Sequence, residues 1–286
     1  MPIDNSWSQE NVKATLDHWE LTDAERKNFS DLRDRLKDVK HWKNCPDTLV
    51  RFQRARPGDV AAAETLFRDM VRWRLDNKAD TILEDYKPPR LLMDYYPGAV
   101  LKGLDKDGDP VFVGRLGVTD GVGLLEKYGE EEMIRHAIWI RELASRGEWL
   151  NQFEREHGRP IKRITLIEDL EGLSRRVLSS RMLSFYGKIM RLDQDNYCES
   201  CKKLIIVRAP TVFRMAWSLA KHFFDTGVVA KMVFSGSSNY LQVLDQYVDR
   251  KILPSAMCPE GQGEVIEGMP DRFEGGLVPT DDEGKD

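Results

Sequence analysis

The chain has 286 residues, 43 Lys and Arg against 48 Asp and Glu for a net charge of -5, and 41% hydrophobic residues. Seven Trp and eleven Phe must be hidden from water, which excludes a largely disordered chain, and ordinary Gly and Pro usage excludes collagen-like and low-complexity classes. A slightly acidic balance also excludes a nucleic-acid protein held by bulk charge, so nucleic acid is not an expected partner and any anionic ligand must be met by a locally built site.

The opening MPIDNSWSQENVKATLDHWE has no basic segment followed by an apolar one, so no secretory signal is expected, and residues 1–19 read as loosely ordered. Four cysteines, Cys45, Cys198, Cys201 and Cys258, in a chain of this length fit a reducing cytoplasm better than a disulfide framework. Between Asp23 and Trp42, Phe29, Leu32, Leu36 and Val39 fall on one helical face. Asp47–Arg56 places Leu49, Phe52 and Ala55 at helical spacing and is stopped by Pro57-Gly58. Asp59 is suited to cap the next helix, where Val60, Ala63, Phe67 and Met70 line up, and Pro88-Pro89 ends the run. Residues 20–87 are therefore expected to form a small helical region.

The pattern then changes. Asp105–Asp109 is a turn signal between two extended segments, and Val111–Leu116 alternates as a strand does. Residues 130–150 read as a helix with Met133, Ala137, Ile140 and Ala144 on one face, followed by a β-rich run at Ile161–Leu170. A helix carrying Leu178, Met182, Phe185, Ile189 and Leu192 comes next. Lys203–Val207 reads as a strand buried on both faces, and Lys231–Phe234 as another strand. Strands alternating with helices predict an α/β fold with a mostly parallel sheet over residues 88–275, and residues 276–286 as a loose terminus. In Thr211–Phe224 nine of fourteen residues are apolar and lie on nearly every face. Such a helix is either buried all round or has something greasy on its outer side.

Most short motifs dissolve on inspection. Cys198-Glu-Ser-Cys201 has redox spacing but precedes a strand instead of opening a helix, and no second ligand pair accompanies it for zinc. A dithiol redox enzyme is kept as an alternative of another class. Asp105-x-Asp107-Gly108-Asp109 lacks the Gly and Glu that a calcium loop needs at its sixth and twelfth positions, which hold Pro110 and Leu116. P-loop, HExxH and nucleophile-elbow patterns are absent from the sequence, so no enzyme activity, metal or cofactor is expected. The charges embedded in apolar sequence are more informative: Glu199 before a strand, Arg208 after it, Lys231 at the next, and Arg51, Arg54 and Arg56 beside Leu49 and Phe52. They are either a solvated face or a pocket in which cations meet a phosphate and a carboxylate meets hydroxyls.

Thr48–Arg56 with Asp59-Val60 and the helix ending at Val71-Arg-Trp73-Arg resembles the N-terminal helical region of CRAL-TRIO lipid-binding proteins. Asp105–Val111, Asp169–Ser174, Asn196-Tyr197 to Ala209-Pro210, Lys231 to Gly236-Ser-Ser and Ile252-Leu-Pro254 resemble that domain in order, so the likeness spans roughly residues 45–257. The branch it resembles is that of the fungal phosphatidylinositol/phosphatidylcholine transfer proteins and their animal relatives. The resemblance implies a sheet-floored hydrophobic cavity for one lipid, closed by a mobile helical gate. Phe213, Met215, Trp217, Leu219, Phe223 and Phe224 would line that gate and cavity, meeting a transient membrane surface when open. It further implies that Glu199 accepts bonds from inositol hydroxyls, that Lys231 donates there, and that Arg56 supports the head group, with Asp105 matching a further contact. The Ser and Thr that serve phosphatidylcholine in that branch fall on Ile164 and Leu166, with Thr165 between them expected to point inward. The Pro before the Glu is Cys198, a Thr near the Lys is Val228, and the paired Tyr falls near Val100 and Leu101. Phosphatidylinositol is therefore the favoured ligand and phosphatidylcholine exchange is not expected. A small isoprenoid-type lipid such as a tocopherol or retinoid is the alternative cargo, and a protein-interaction module with a vestigial cavity the alternative role. The expected setting is cytoplasmic with reversible membrane association.

Overall fold

Why the early helices form is visible in their ends. The computed structural model describes residues 7–96, 98–158, 161–174, 176, 179–220 and 226–266, the side chains of 216, 219 and 220 aside. Helix α1 (Gln9–His18) starts where the Ser8 hydroxyl accepts the Asn11 N–H, and α2 (Asp23–Leu36) where Thr22 and Glu25 cap one another reciprocally. The α1 segment lies within the stretch expected to be loose. Capping by Ser8 and the packing of Val12 and Leu16 against the cluster around Trp19 and Phe29 order it instead. Helix α2 ends at Leu36, short of the Trp42 expected, because the Asn44 amide donates to the carbonyls of Leu36 and Val39 at 2.9 Å each and closes the chain there. Helix α3 (Pro46–Ala55) has Pro at its first position, and α4 (Val60–Asp76) is capped by Asp59, which accepts from the Ala62 N–H at 2.9 Å. Short helices α5 (Ile82–Asp85) and α6 (Arg90–Tyr95) follow.

The chain divides into two compact units, the first formed by Met1–Tyr86, Ile138–Pro160 and Lys188–Ser200. Its core joins Trp19, Phe29, Leu32, Leu36, Leu49, Phe52, Phe67, Met70 and Cys198, with the Phe52 and Phe67 rings edge-on at 5.3 Å. The helical region is thus not a contiguous 20–87 block: two later segments enter it.

The second unit comprises Lys87–Ala137, Ile161–Gly187 and Cys201–Asp286. Strands β1 (Gly98–Leu104) and β2 (Pro110–Gly114) form the antiparallel hairpin that Asp105–Asp109 predicts. Helix α7 (Gly121–Arg146), interrupted at Gly129, passes into the first unit at Ile138, as does all of α8 (Glu148–His157), before β3 (Ile164–Asp169). Helix α9 (Ser180–Asn196), β4 (Cys201–Val207), α10 (Thr211–Ala220), α11 (Thr226–Ala230), β5 (Met232–Phe234) and α12 (Tyr240–Leu244) complete the described order. The sheet runs β1-β2-β3-β4-β5, parallel from β2 onward. The mixed α/β architecture is the one expected.

Period-two alternation divides the sheet into two unlike faces. Val111, Val113, Ile167, Ile205 and Val207 are wholly buried, and Leu244, Val248, Leu253, Met257 and Cys258 from the chain beyond β5 seal them. Phe112, Leu166, Leu204, Met232 and Phe234 lie on the opposite face and are only half-buried. The expectation that Lys203–Val207 is buried on both sides therefore holds at Ile205–Val207 and fails at Lys203 and Leu204. One face of the sheet has a solid neighbour, and the other is partly uncovered.

Candidate functional site

The half-covered face is an apolar floor. In register across it stand Phe112, Leu166, Leu204 and Met232, with Gly114, Glu168, Ile206 and Phe234 in the next row. Helix α10 meets one end: the Phe213 and Trp217 rings lie 6.4 and 5.3 Å from that of Phe234. On other sides of the same helix Val212 is 48% and Met215 65% exposed. Of the expected gate residues, then, Phe213 and Trp217 face the floor and Met215 faces water. The Leu219 side chain, Phe223 and Phe224 lie outside the described residues.

The floor carries one carboxylate, Glu168, that its alternation did not advertise. Its oxygens occupy the place a side chain on Gly114 would need, the nearest 2.3 Å from where a Cβ would stand, so any larger residue at 114 must push the Glu168 carboxylate aside. Burial, reinforced by the charge of Glu168, pushes the Tyr186 hydroxyl up to about 12, leaving it a neutral phenol.

Asp105 is placed differently from expectation. Its Oδ1 accepts the N–H groups of Asp107 and Asp109 at 3.0 and 2.8 Å, and its Oδ2 accepts the Thr165 hydroxyl at 2.7 Å and the Lys202 ammonium at 2.9 Å. Lys202 also pairs with Asp107 and Asp109. With every lone-pair direction occupied, Asp105 builds the hairpin and is set aside as a ligand contact. Thr165 accordingly points to Asp105 and the sealed face, not to the floor. Lys231 is half-buried in the turn before β5, its carbonyl accepting from the Leu204 N–H at 3.0 Å.

In the first unit, Glu199 is half-buried and holds a left-handed backbone, φ 55°. Its carbonyl accepts from Arg51 Nη1 at 2.8 Å. Arg56 is also half-buried, and its guanidinium donates to the Ala55 carbonyl at 2.7 Å. Arg51 and Arg54 stack on Trp19, 5.2 Å from its ring centroid in each case. They are clasps of the helical core, so the three arginines of the segment are not equivalent.

Sequence reasoning missed the polar hub behind these residues. Arg74 and Glu142, both fully buried, form a two-pronged pair at 2.9 and 2.9 Å. The Tyr197 hydroxyl donates to the same carboxylate at 2.7 Å, as does Arg146 Nε at 2.6 Å. Burial pushes the Glu142 carboxyl up, but Arg74, with Lys43 and Arg146, outweighs it and holds the group below the usual carboxylate range. The only trace of this in the sequence is the i, i+4 pairing of Glu142 with Arg146, which cannot reveal burial. At the end of the sheet Arg208, also left-handed at φ 52°, pairs with Asp169 and Glu171 and lies over the Tyr240 ring.

Burial pushes the Cys198 thiol up to about 12, against a weaker opposing pull from Arg56, and its Sγ donates to the Gln194 carbonyl at 3.1 Å. A thiol held protonated is a poor nucleophile, which speaks against the redox alternative. Among the described residues no group of three or more His, Cys, Asp or Glu could hold a metal ion, and no helix is long and apolar enough to cross a membrane.

A mostly parallel sheet sealed on one side and apolar but half-covered on the other defines an α/β fold with one face open to an apolar partner. A family model described as CRAL/TRIO domain matches residues 95–257, and the chain belongs to that family. The SEC14 cytosolic factor of Eremothecium gossypii is 33% identical over 267 residues, 91% of this chain and 82% of that protein. Protein real-time of Aedes aegypti is 31% identical over 265 residues, again 91% of this chain. The chain spans only about two fifths of that longer relative, whose covered share is 40%. Among solved structures, the crystal structure of Sfh5 superposes with a TM-score of 0.58 at 16% identity, covering 78% of this chain and 83% of that one, a likeness of fold.

Proposed function

We propose that the chain binds a single phospholipid, phosphatidylinositol before others, with its acyl chains against the half-covered face of the sheet, and transfers or presents it between membranes. The observation that carries this reading is the unequal cover of the two faces. A face on which Phe112, Leu166, Leu204, Met232 and Phe234 are left half-buried, in an otherwise well-packed sheet, calls for an apolar partner. A diacyl lipid carries about 30 methylenes at ~0.8 kcal/mol each, so about 24 kcal/mol of transfer free energy keeps it from crossing water unaided. A carrier must therefore offer a surface nearly as apolar as the bilayer. Acyl chains supply the affinity and the head group the selectivity.

In this reading Glu199 accepts from the inositol hydroxyls, Lys231 donates to the head group, and Arg56 attracts the phosphate. Phe213 and Trp217 serve as the inner side of a gate, whose Val212 and Met215 enter the membrane when it opens. The protein works as a cytoplasmic carrier that docks transiently, with no chemical step assigned to it. Ile164 and Leu166 present no hydroxyl to the floor, which supports inositol over choline head groups. The test is what the purified protein holds and takes up: lipid extraction with mass spectrometry, and uptake from vesicles containing phosphatidylinositol. Phosphatidylinositol in the extract and its loss in Glu199→Ala or Lys231→Ala is the expected result. A preparation with no phosphoinositide and no uptake overturns the reading, and recovery of an isoprenoid alcohol would redirect it to that cargo.

A further inference from the structure

Glu199 sits in a backbone conformation that an ordinary side chain disfavours, and the Arg51 guanidinium donates to its carbonyl. We infer that Arg51 is a positioning residue for head-group selectivity, acting through the main chain of Glu199; this rests on the proposed role of Glu199 as head-group acceptor. With φ at 55°, Glu199 is among the few non-glycine residues in the left-handed region, and such geometry persists only where the surroundings over-determine it.

The surroundings are on both sides of the residue. Before it, the Tyr197 hydroxyl is fixed on Glu142 at 2.7 Å, its ring packs edge-on against Trp73 at 6.1 Å, and the Cys198 thiol donates to the Gln194 carbonyl at 3.1 Å. At Glu199 itself, Arg51 Nη1 donates to the carbonyl at 2.8 Å. That guanidinium is in turn immobilised. Its Nε donates to Asp47 Oδ2 at 2.7 Å and its Cζ lies over the Trp19 ring, 5.2 Å from the centroid, while the Trp19 indole donates to Asp47 Oδ1 at 2.9 Å. Asp47 and Arg51 stand one turn apart on α3, so the helix sets their spacing. Fixing the direction of the Glu199 carbonyl fixes ψ of that residue, and with φ it fixes the direction in which its side chain leaves the backbone. A planar fork stacked on an indole can hold two acceptors in one geometry; a Lys ammonium on a flexible stem cannot.

The experiment is a double-mutant cycle on selectivity. Uptake of fluorescent phosphatidylinositol and of fluorescent phosphatidylcholine from otherwise identical vesicles is measured for the native protein, Arg51→Lys, Glu199→Ala and the double variant, with the thermal midpoint of each. Arg51→Lys is expected to lower the phosphatidylinositol-to-phosphatidylcholine ratio about tenfold in the native background and less than twofold once Glu199 is Ala. Any change in midpoint should be the same in both backgrounds. An unchanged ratio in Arg51→Lys, or an equal fall in both backgrounds, overturns the positioning role. A ratio unmoved by Glu199→Ala alone identifies the head-group assignment as the failing step and overturns the inference with it. Asp47→Asn, which loosens the guanidinium without touching Arg51 or Glu199, provides the same readout if Arg51→Lys does not fold, with a smaller fall expected in the same direction.

Discussion

Leu204 and Ile205 are neighbours on β4 whose side chains leave the sheet on opposite faces, so paired substitutions there measure how differently the two faces are filled. Ile205 is fully buried, among Val113, Ile167, Val207 and the sealing residues Leu244 and Val248. Its truncation to Ala removes apolar area and leaves a closed void, at a cost of about 2–5 kcal/mol. Leu204 is half-buried beside Leu166 and Met232 in register. Truncation there loses part of the transfer term, about 1.5 kcal/mol, and no closed cavity forms. Enlargement separates the faces further: Ile205→Trp must displace packed neighbours on every side and is destabilised by ~3 kcal/mol or more, whereas Leu204, half-buried against Leu170, Ile206 and Ala209, has fewer neighbours to displace, and Leu204→Trp should cost about 1 kcal/mol. Urea unfolding of lipid-free protein followed by circular dichroism gives all four values. The same Leu204→Trp protein should fail to take up phosphatidylinositol from vesicles and should gain no thermal protection from them. Equal costs at 204 and 205 in both series, or full uptake by Leu204→Trp, would mean that the second face is as solid as the first and would refute the cavity.

Three further outcomes test the scaffold. Glu142→Ala strips the fully buried Arg74 guanidinium of its two-pronged partner, leaving it the Asp80 carboxylate at 2.7 Å, and should cost about 3 kcal/mol. Because the Glu142 and Asp80 carboxyls are held low in the folded protein, against burial that pushes each up and chiefly by Arg74, their contribution is complete above the ordinary carboxylate range near ~4.3 and is lost as pH falls through their lower folded values. An acid titration of the native protein should therefore be steeper below about pH 4 than that of Glu142→Gln, and coincident curves would refute the assignment. Cys198, with its thiol raised to about 12 by burial, should resist alkylation by iodoacetamide at neutral pH in the folded protein and react once unfolded, as peptide mapping by mass spectrometry would show. Thr165→Val removes a buried bond to the Asp105 carboxylate and should cost about 1.5–3 kcal/mol without altering lipid selectivity; a changed head-group preference would restore Asp105 to the ligand site.

Local periodicity and end chemistry made much of this protein legible in its sequence. The buried stripes of α2, α3 and α4, the Asp59 cap, the Asp105–Asp109 hairpin and the alternation of strands with helices all follow from interactions within a few residues. The apolar excess beginning at Thr211 likewise marked α10, in which Phe213 and Trp217 meet Phe234 while Val212 and Met215 stay exposed. What the chain order could not show is which residues gather around Glu142, since Arg74, Arg146 and Tyr197 are drawn from three separate segments and none carries a local mark of burial. Asp105 is the clearest case of a residue type read without its partners: its carboxylate looks available until Thr165 and Lys202 are brought to it.

The alternation along β2, β3 and β4 divides their side chains into two sets, because successive residues of a strand must point opposite ways. Which set would be sealed depended on the chain after β5 folding back over Val113, Ile167 and Ile205, a contact between segments distant in sequence that no local pattern encodes. Both sets are apolar, so hydrophobicity alone cannot rank them; only the placement of that covering segment decides which face is packed solid and which stays half-covered.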